Sequence, residues 1–180
     1  YYFRAKAVGD STVYGVERSF TTLTPPTVTT NAASNVTTIS GRLNGDLTNL
    51  GTASSVTVSF VWGASSGSYP NETTAVAKTA TGAFYFDLPN LTHSTTYYYR
   101  AKAVGDSTVY GVERSFTTLT PPAVTTNDAT NISTISARLN GDLTSMGTAS
   151  SVWVSFEWGI SAGAYHNSWF AQEMTSTGPY

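Results

Sequence analysis

Apolar and polar residues alternate with a period of two along most of this chain. Ile39, Leu43 and Leu47 share one face of a segment, and Val56, Val58, Phe60 and Trp62 share one face of the next. Phe84, Phe86 and Leu88 continue the pattern, as do Tyr97, Tyr99, Ala101 and Ala103. Successive side chains on a strand point to opposite faces, so each run predicts a half-buried β-strand. Gly, Asn and Ser clusters separate the runs, and "AVGDST" (103–108) carries the Gly-Asp of a hairpin turn. No helical pattern exceeds two turns, which predicts an antiparallel all-β chain.

The pattern also repeats at long range. "YYFRAKAVGDSTVYGVERSFTTLTPP" occupies residues 1–26 and returns as "YYYRAKAVGDSTVYGVERSFTTLTPP" at 97–122, changed only where Phe3 becomes Tyr99. The interval (97 − 1 = 96 positions) also aligns 25–63 with 121–159, and "TATGAF" (79–84) with "TSTGPY" (175–180). Ninety-six residues is too long for a solenoid turn and suits a small β domain. The expected organisation is the last two strands of a preceding module in 1–24, a complete module in 25–120 and the front of a following module in 121–180. The "TLTPP" segments at 22–26 and 118–122 read as stiff linkers, because paired prolines hold a chain extended. Residues 1–24 supply the two strands that 121–180 lack. Two readings are open: an excerpt from a longer array, or completion of one chain's open end by its neighbour through strand addition.

Composition agrees with strands. Aromatic residues make up 13% of the 180 residues, 11 of them tyrosine, and charged residues only 11%. A formal charge of −2 gives no basic footprint for nucleic acid. No run of 18 apolar residues is present to span a bilayer. Cysteine is absent, which excludes disulfides and thiolate metal sites.

"LPNLTHSTTYYYRAKAVGD" (88–106) followed by "VERSFTT" (112–118) resembles the late strands of fibronectin type III domains, through Leu91, Thr95, Tyr97, Arg100, Ser115, Phe116, Thr117 and Thr118. His93 stands where the family usually has Pro, and the module's Trp62 falls on the third strand rather than the second. The stretch "VSFVWG" followed by "SYPNETT" resembles modules of large repetitive microbial surface proteins. The resemblance implies tandem immunoglobulin-like, fibronectin type III β-sandwiches, with Tyr97 as a tyrosine-corner residue whose hydroxyl caps backbone near Leu91.

Catalytic chemistry has no visible constellation. His93 and His166 do not align between repeats, and no Gly-x-Ser-x-Gly or phosphate-loop motif occurs. "NGD" at 44–46 and 140–142 lacks the spaced acids of a calcium loop. No enzyme activity, cofactor or metal is expected. Arg100 and Lys102, with Glu113 and Arg114 on the next strand, predict a surface ion-pair ladder. Four sequons, at Asn35, Asn71, Asn90 and Asn131, are candidate glycosylation sites. Three polar positions that read as outward-facing turn aromatic in the last segment: Thr57 becomes Trp153, and Thr73 and Thr74 become Trp169 and Phe170. These aromatics are the candidate interface, for self-association or for glycans.

The expected role is a non-enzymatic extracellular structural repeat, a cell-surface stalk or filament subunit assembling head to tail, with strand complementation between chains as one route. The alternative is a carbohydrate- or protein-binding accessory module of a larger secreted enzyme or adhesin.

Overall fold

In the computed structural model, residues 1–169 and 171–180 are described, and no helix occurs among them. The first segment holds β1 (Tyr2–Phe3), β2 (Lys6–Val8), β3 (Thr12–Tyr14) and β4 (Arg18–Ser19). The repeat from 25 to 120 holds β5 (Thr27–Ser34), β6 (Gly41–Asn49), β7 (Val56–Gly63), β8 (Asn71–Glu72), β9 (Val76–Lys78), β10 (Gly82–Leu88), β11 (Thr96–Val104), β12 (Thr108–Tyr110) and β13 (Arg114–Thr117). The last segment holds β14 (Ala123–Thr130), β15 (Arg138–Ser145), β16 (Val152–Val154), β17 (Glu157–Trp158), β18 (Asn167–Ser168), β19 (Gln172–Met174) and β20 (Gly178–Pro179). The chain is therefore all-β, as the alternation predicts.

Two sheets organise the repeat. One runs β10-β6-β5; the other runs β12-β11-β7-β8, with β13 also on β11 and β9 also on β7. The last segment repeats part of this plan as β14-β15-β20, β16-β19 and β17-β18. Its registers are those of the repeat moved by 96: Val58↔Val76 becomes Val154↔Gln172, and Val61↔Glu72 becomes Glu157↔Ser168.

Contacts gather the chain into two compact units: Tyr1–Ala32 with Leu43–Phe86 and Tyr98–Arg114, and Ala33–Arg42 with Asp87–Tyr97 and Ser115–Tyr180. In the first unit, Leu47, Val56, Val58 and Ala103 form a buried cluster, with Val28, Ala53, Phe84 and Val109 packed against it. Phe60 meets Phe84 at 5.0 Å and Tyr99 at 6.3 Å between ring centroids. The long β11–β7 pairing (Tyr98↔Gly63 through Val104↔Thr57) places Tyr99, Ala101 and Ala103 on the inner face. Removing these apolar side chains from water is the main stabilising term. Ile39 departs from the expected face: it precedes β6 and is 58% exposed, while its carbonyl accepts a bond from the Leu91 N–H. It lies in a turn, where period-two reasoning no longer applies.

In the second unit, Phe116 lies against Gly41, whose missing Cβ would fall 2.6 Å from the ring, and it stacks on Tyr97 at 5.8 Å. Thr118 is buried; its hydroxyl donates to the Thr92 carbonyl (2.7 Å) and accepts from the Thr95 N–H (3.0 Å). The Thr92 N–H donates to the Tyr97 hydroxyl at 3.0 Å, which holds the corner before β11. Phe156 meets Tyr180 at 5.0 Å, as Phe60 meets Phe84.

Candidate functional site

Two features stand out: the joints at the linkers, which repeat, and the free edge, which belongs to the last segment.

The joints are built twice with one geometry. Beside the first linker, the Thr52 N–H donates to the Thr24 carbonyl at 3.0 Å and its hydroxyl reaches the same oxygen at 3.3 Å. Beside the second, the Thr148 N–H donates to the Thr120 carbonyl at 3.0 Å and its hydroxyl again lies at 3.3 Å. Gly51 (φ 70°) and Gly147 (φ 61°) precede these threonines in the left-handed region. A Cβ at either would collide with the Thr24 or Thr120 carbonyl. Only glycine fits where backbone meets backbone in that conformation. On its other side Thr120 accepts a bond from the Ser94 hydroxyl (2.9 Å), and the Leu119 carbonyl accepts the Ser94 N–H (3.2 Å). The second linker is thus tied both to the repeat before it and to the segment after it.

The free edge lies on β16 and β17. In the repeat, the matching strand β7 pairs with β8 and β9 on one side and with β11 on the other. β16 and β17 keep only the first side among the described residues, through β19 and β18. Beside the free edge runs a groove of about 730 Å³, lined by Ile135, Leu139, Val154, Phe156, Trp158 and Tyr180 among others. These residues match Ile39, Leu43, Val58, Phe60, Trp62 and Phe84 of the repeat.

Above β11, a charged cluster replaces the expected ladder. The Arg100 guanidinium lies between two rings, 4.5 Å from the Tyr69 centroid and 3.9 Å from that of Tyr110. A cation over an aromatic face is attracted by the ring quadrupole. Glu113 accepts from the Ser66 hydroxyl (2.7 Å), the Gly67 N–H (2.8 Å) and the Tyr69 hydroxyl, and the Arg100 charge lies near enough to attract it. Those bonds, the one from Tyr69 foremost, hold its carboxyl below the usual range. Desolvation and then the bond to Glu113 push the Tyr69 hydroxyl up. Arg114 donates to the Thr30 carbonyl (3.3 Å), so it pairs with backbone. Among the described residues, Lys102 pairs with Glu72 (2.9 Å) and Arg42 with Asp87 (2.7 Å). Glu72 is lowered chiefly by the Ser59 hydroxyl, and Asp87 chiefly by Arg42.

The candidate aromatics divide. Trp153 is 65% exposed on β16, and Trp169 is 72% exposed at the groove. Phe170 lies outside the described residues. Thr73 is not outward-facing: it is 7% exposed, and its hydroxyl accepts the Phe60 N–H at 2.9 Å. A short polar side chain there satisfies a buried donor, so its face cannot be read from alternation. Asn35, Asn71, Asn90 and Asn131 are all exposed. Asn35, Asn90 and Asn131 have positive φ, a conformation Asn tolerates in turns.

His93 and His166 are exposed and separate in the chain. Both "NGD" segments are taken up by backbone and amides: Asn44 donates to Ala32 and Asn31 to Asp46, and Asn140 donates to Asp128 and Asn127 to Asp142. Among the described residues no group of three His, Asp or Glu could hold a metal. The joints and the stacked arginine were missed by sequence reasoning. Their signal was available in Gly-Thr at 51–52 and 147–148, and in the Arg and Tyr positions that recur at the same interval.

No protein-family model matches the chain, and no curated protein matches it. Among solved structures, a short form of the sensor domain of the anti-sigma factor RsgI4 from Pseudobacteroides cellulosolvens is 19% identical, with a TM-score of 0.45. That match covers 52% of this chain and 94% of the other. A longer form of the same domain is 18% identical over 52% of this chain and 88% of that one, with a TM-score of 0.42. At that identity and score the likeness assigns no role.

Proposed function

We propose that this chain is a non-enzymatic extracellular structural protein, a stretch of tandem fibronectin type III-like sandwiches in a microbial stalk or filament that extends head to tail. The observation that carries the reading is the duplicated joint. Thr52 and Thr148 hold the Thr24 and Thr120 carbonyls with the same pair of distances, next to glycines in the same left-handed conformation. A flexible tether has no need of such geometry. A rod whose successive units must keep one relation to each other does. The pairs of prolines that come after each joint stiffen the same point.

Static light scattering of the 180-residue chain tests the reading. Species heavier than the 19.1 kDa monomer, growing with concentration, are expected. A monodisperse monomer at all concentrations contradicts it.

A second reading, an accessory module binding a carbohydrate or a protein, is favoured by one observation: Trp153 and Trp169 stand largely exposed. Aromatic faces of this kind stack on sugars as well as on neighbouring protein. Titration with oligosaccharides separates the two, since saturable heat lost on replacing Trp169 would favour the binding module.

A further inference from the structure

The geometry points to the groove beside Val154, Phe156 and Trp158 as the seat for residues 1–20 of a second copy of this chain, entering as an added strand pair. The inference rests on the head-to-tail reading and names the contact through which extension occurs.

The closed repeat supplies the template. There β11 lies along β7 with Tyr99 opposite Trp62, Ala101 opposite Phe60 and Ala103 opposite Val58. Residues 1–20 carry the same sequence as 97–116 apart from Phe3, and the groove carries the counterpart of β7. In a seated hairpin Phe3 faces Trp158, Ala5 faces Phe156 and Ala7 faces Val154. The hairpin is already folded for this: Lys6↔Tyr14 and Val8↔Thr12 repeat the pairs Lys102↔Tyr110 and Val104↔Thr108. Arg4 already lies 3.9 Å over Tyr14, the distance of Arg100 over Tyr110. Tyr1, Tyr2, Phe3 and Phe20 stand largely exposed, with Tyr1 stacked on Phe20 at 5.2 Å.

The receiving side keeps its half of the charged cluster. Gly163 (φ 77°) and Tyr165 match Gly67 (φ 75°) and Tyr69, and the loop closes with the same bond, Ala164 N–H to Ser161 carbonyl at 3.1 Å, as Ser68 N–H to Ser65 carbonyl. A seated Glu17 would accept from Gly163 and Tyr165 as Glu113 does from Gly67 and Tyr69.

Charge has moved to suit an incoming chain. Opposite Arg100 stands Val61, and the acid that serves the neighbouring Lys102 is Glu72. In the last segment position 72 has become Ser168 and position 61 has become Glu157. Glu157 is exposed on the free edge, directly opposite the place of Arg4, with Lys6 on the diagonal. Cross-strand opposite charges on one face stabilise a pairing.

Two differences make the seat between copies shallower than the seat within one. Ala137 replaces Gly41, and a Cβ there lies 2.6 Å from the place of the Phe116 ring, so Phe20 must sit displaced. Phe3 lacks the hydroxyl with which Tyr99 bonds the Asn31 carbonyl at 2.7 Å. The contact is therefore weaker than the intramolecular one and suits reversible extension.

The chain has no cysteine, so an engineered pair reports the register cleanly. Lys6 and Ser155 correspond to the cross-strand pair Lys102↔Ser59. K6C/S155C is expected to give a ladder of covalent oligomers under mild oxidation, and each single variant at most a dimer. In sedimentation velocity, R4E or E157R alone should weaken self-association about tenfold or more, and R4E/E157R in one chain should restore it to within about threefold. A137G and F3Y should each tighten it. A monomer with an internal disulfide would place the hairpin of the same copy in the groove and overturn the proposal. Oligomers that ignore the charge swap and never form the ladder would overturn it while leaving the head-to-tail reading intact. A chain that never associates would overturn both.

Discussion

Leu43 and Leu139 hold the same place in the repeat, yet Leu43 is fully buried and Leu139 is 39% exposed. At the other end of the same strands the contrast vanishes: Leu47 and Leu143 are both 1% exposed. The sequence around the two leucine pairs is nearly the same. What differs is the cover. Tyr99 and Phe116 are buried in the repeat, and nothing among the described residues of the last segment takes their place. Alternation therefore commits a residue to a face, while burial depends on whether a partner strand from far along the chain arrives.

The sharpest way to test that lesson is to delete the same ring in both settings. Tyr99→Ala removes a fully buried ring and its bond to Asn31, and should cost about 3–5 kcal/mol in urea unfolding of the chain. Phe3→Ala, at the matching exposed position, should change unfolding by no more than about 0.5 kcal/mol and show its effect in self-association. Equal losses of stability from the two variants would mean that the hairpin is already buried in the isolated chain.

Glycines come next in size. Gly51 and Gly67 share a left-handed conformation, but only Gly51 faces a carbonyl, that of Thr24; Gly67 faces open space. Gly51→Ala should cost roughly 2–3 kcal/mol and Gly67→Ala roughly 1 kcal/mol, both read from thermal unfolding. If Gly51→Ala proved the milder change, the joint would not be a rigid contact.

Smaller still is the pH dependence set by the Tyr69–Glu113 pair. Glu113 has a lowered carboxyl, so its contribution is present above the usual 4.5 and is lost as the pH falls through the lowered value. Tyr69 is raised, so its contribution is present below the usual 10.0 and is lost as the pH rises through the raised value. The Tm should decline at both extremes, and Glu113→Gln should make the acid decline shallower, with Glu72 and Asp87 supplying what remains. An acid limb unchanged by Glu113→Gln would mean that this carboxylate does not set it. Smallest in stability is Trp153→Thr, an exposed site where a change within about 0.5 kcal/mol is expected. The same variant should weaken self-association, since the position opposite Trp153 in the seated pair is Val8.

The strands and most of the core were legible because period two is local. Val56, Val58, Phe60, Tyr97, Tyr99, Ala101 and Ala103 can be placed by counting alternate residues, and all are buried. Ile39 and Thr73 were not legible in this way. One sits in a turn, and the other is a polar residue held inside by the backbone donor it satisfies. The joints and the Tyr69 side of the Arg100 stack join residues that lie 25 or more positions apart, such as Thr24 with Thr52 and Arg100 with Tyr69. No local pattern encodes such pairs. Only the recurrence of Gly-Thr, Arg and Tyr at one interval marks them, and recurrence tells that a contact is kept without telling what it touches.

Electron microscopy of the purified 180-residue chain tests the central claim most directly. Unbranched fibres with a regular axial repeat, absent from R4E and present again in R4E/E157R, are the expected result. Discrete particles of a single chain at every concentration would contradict it.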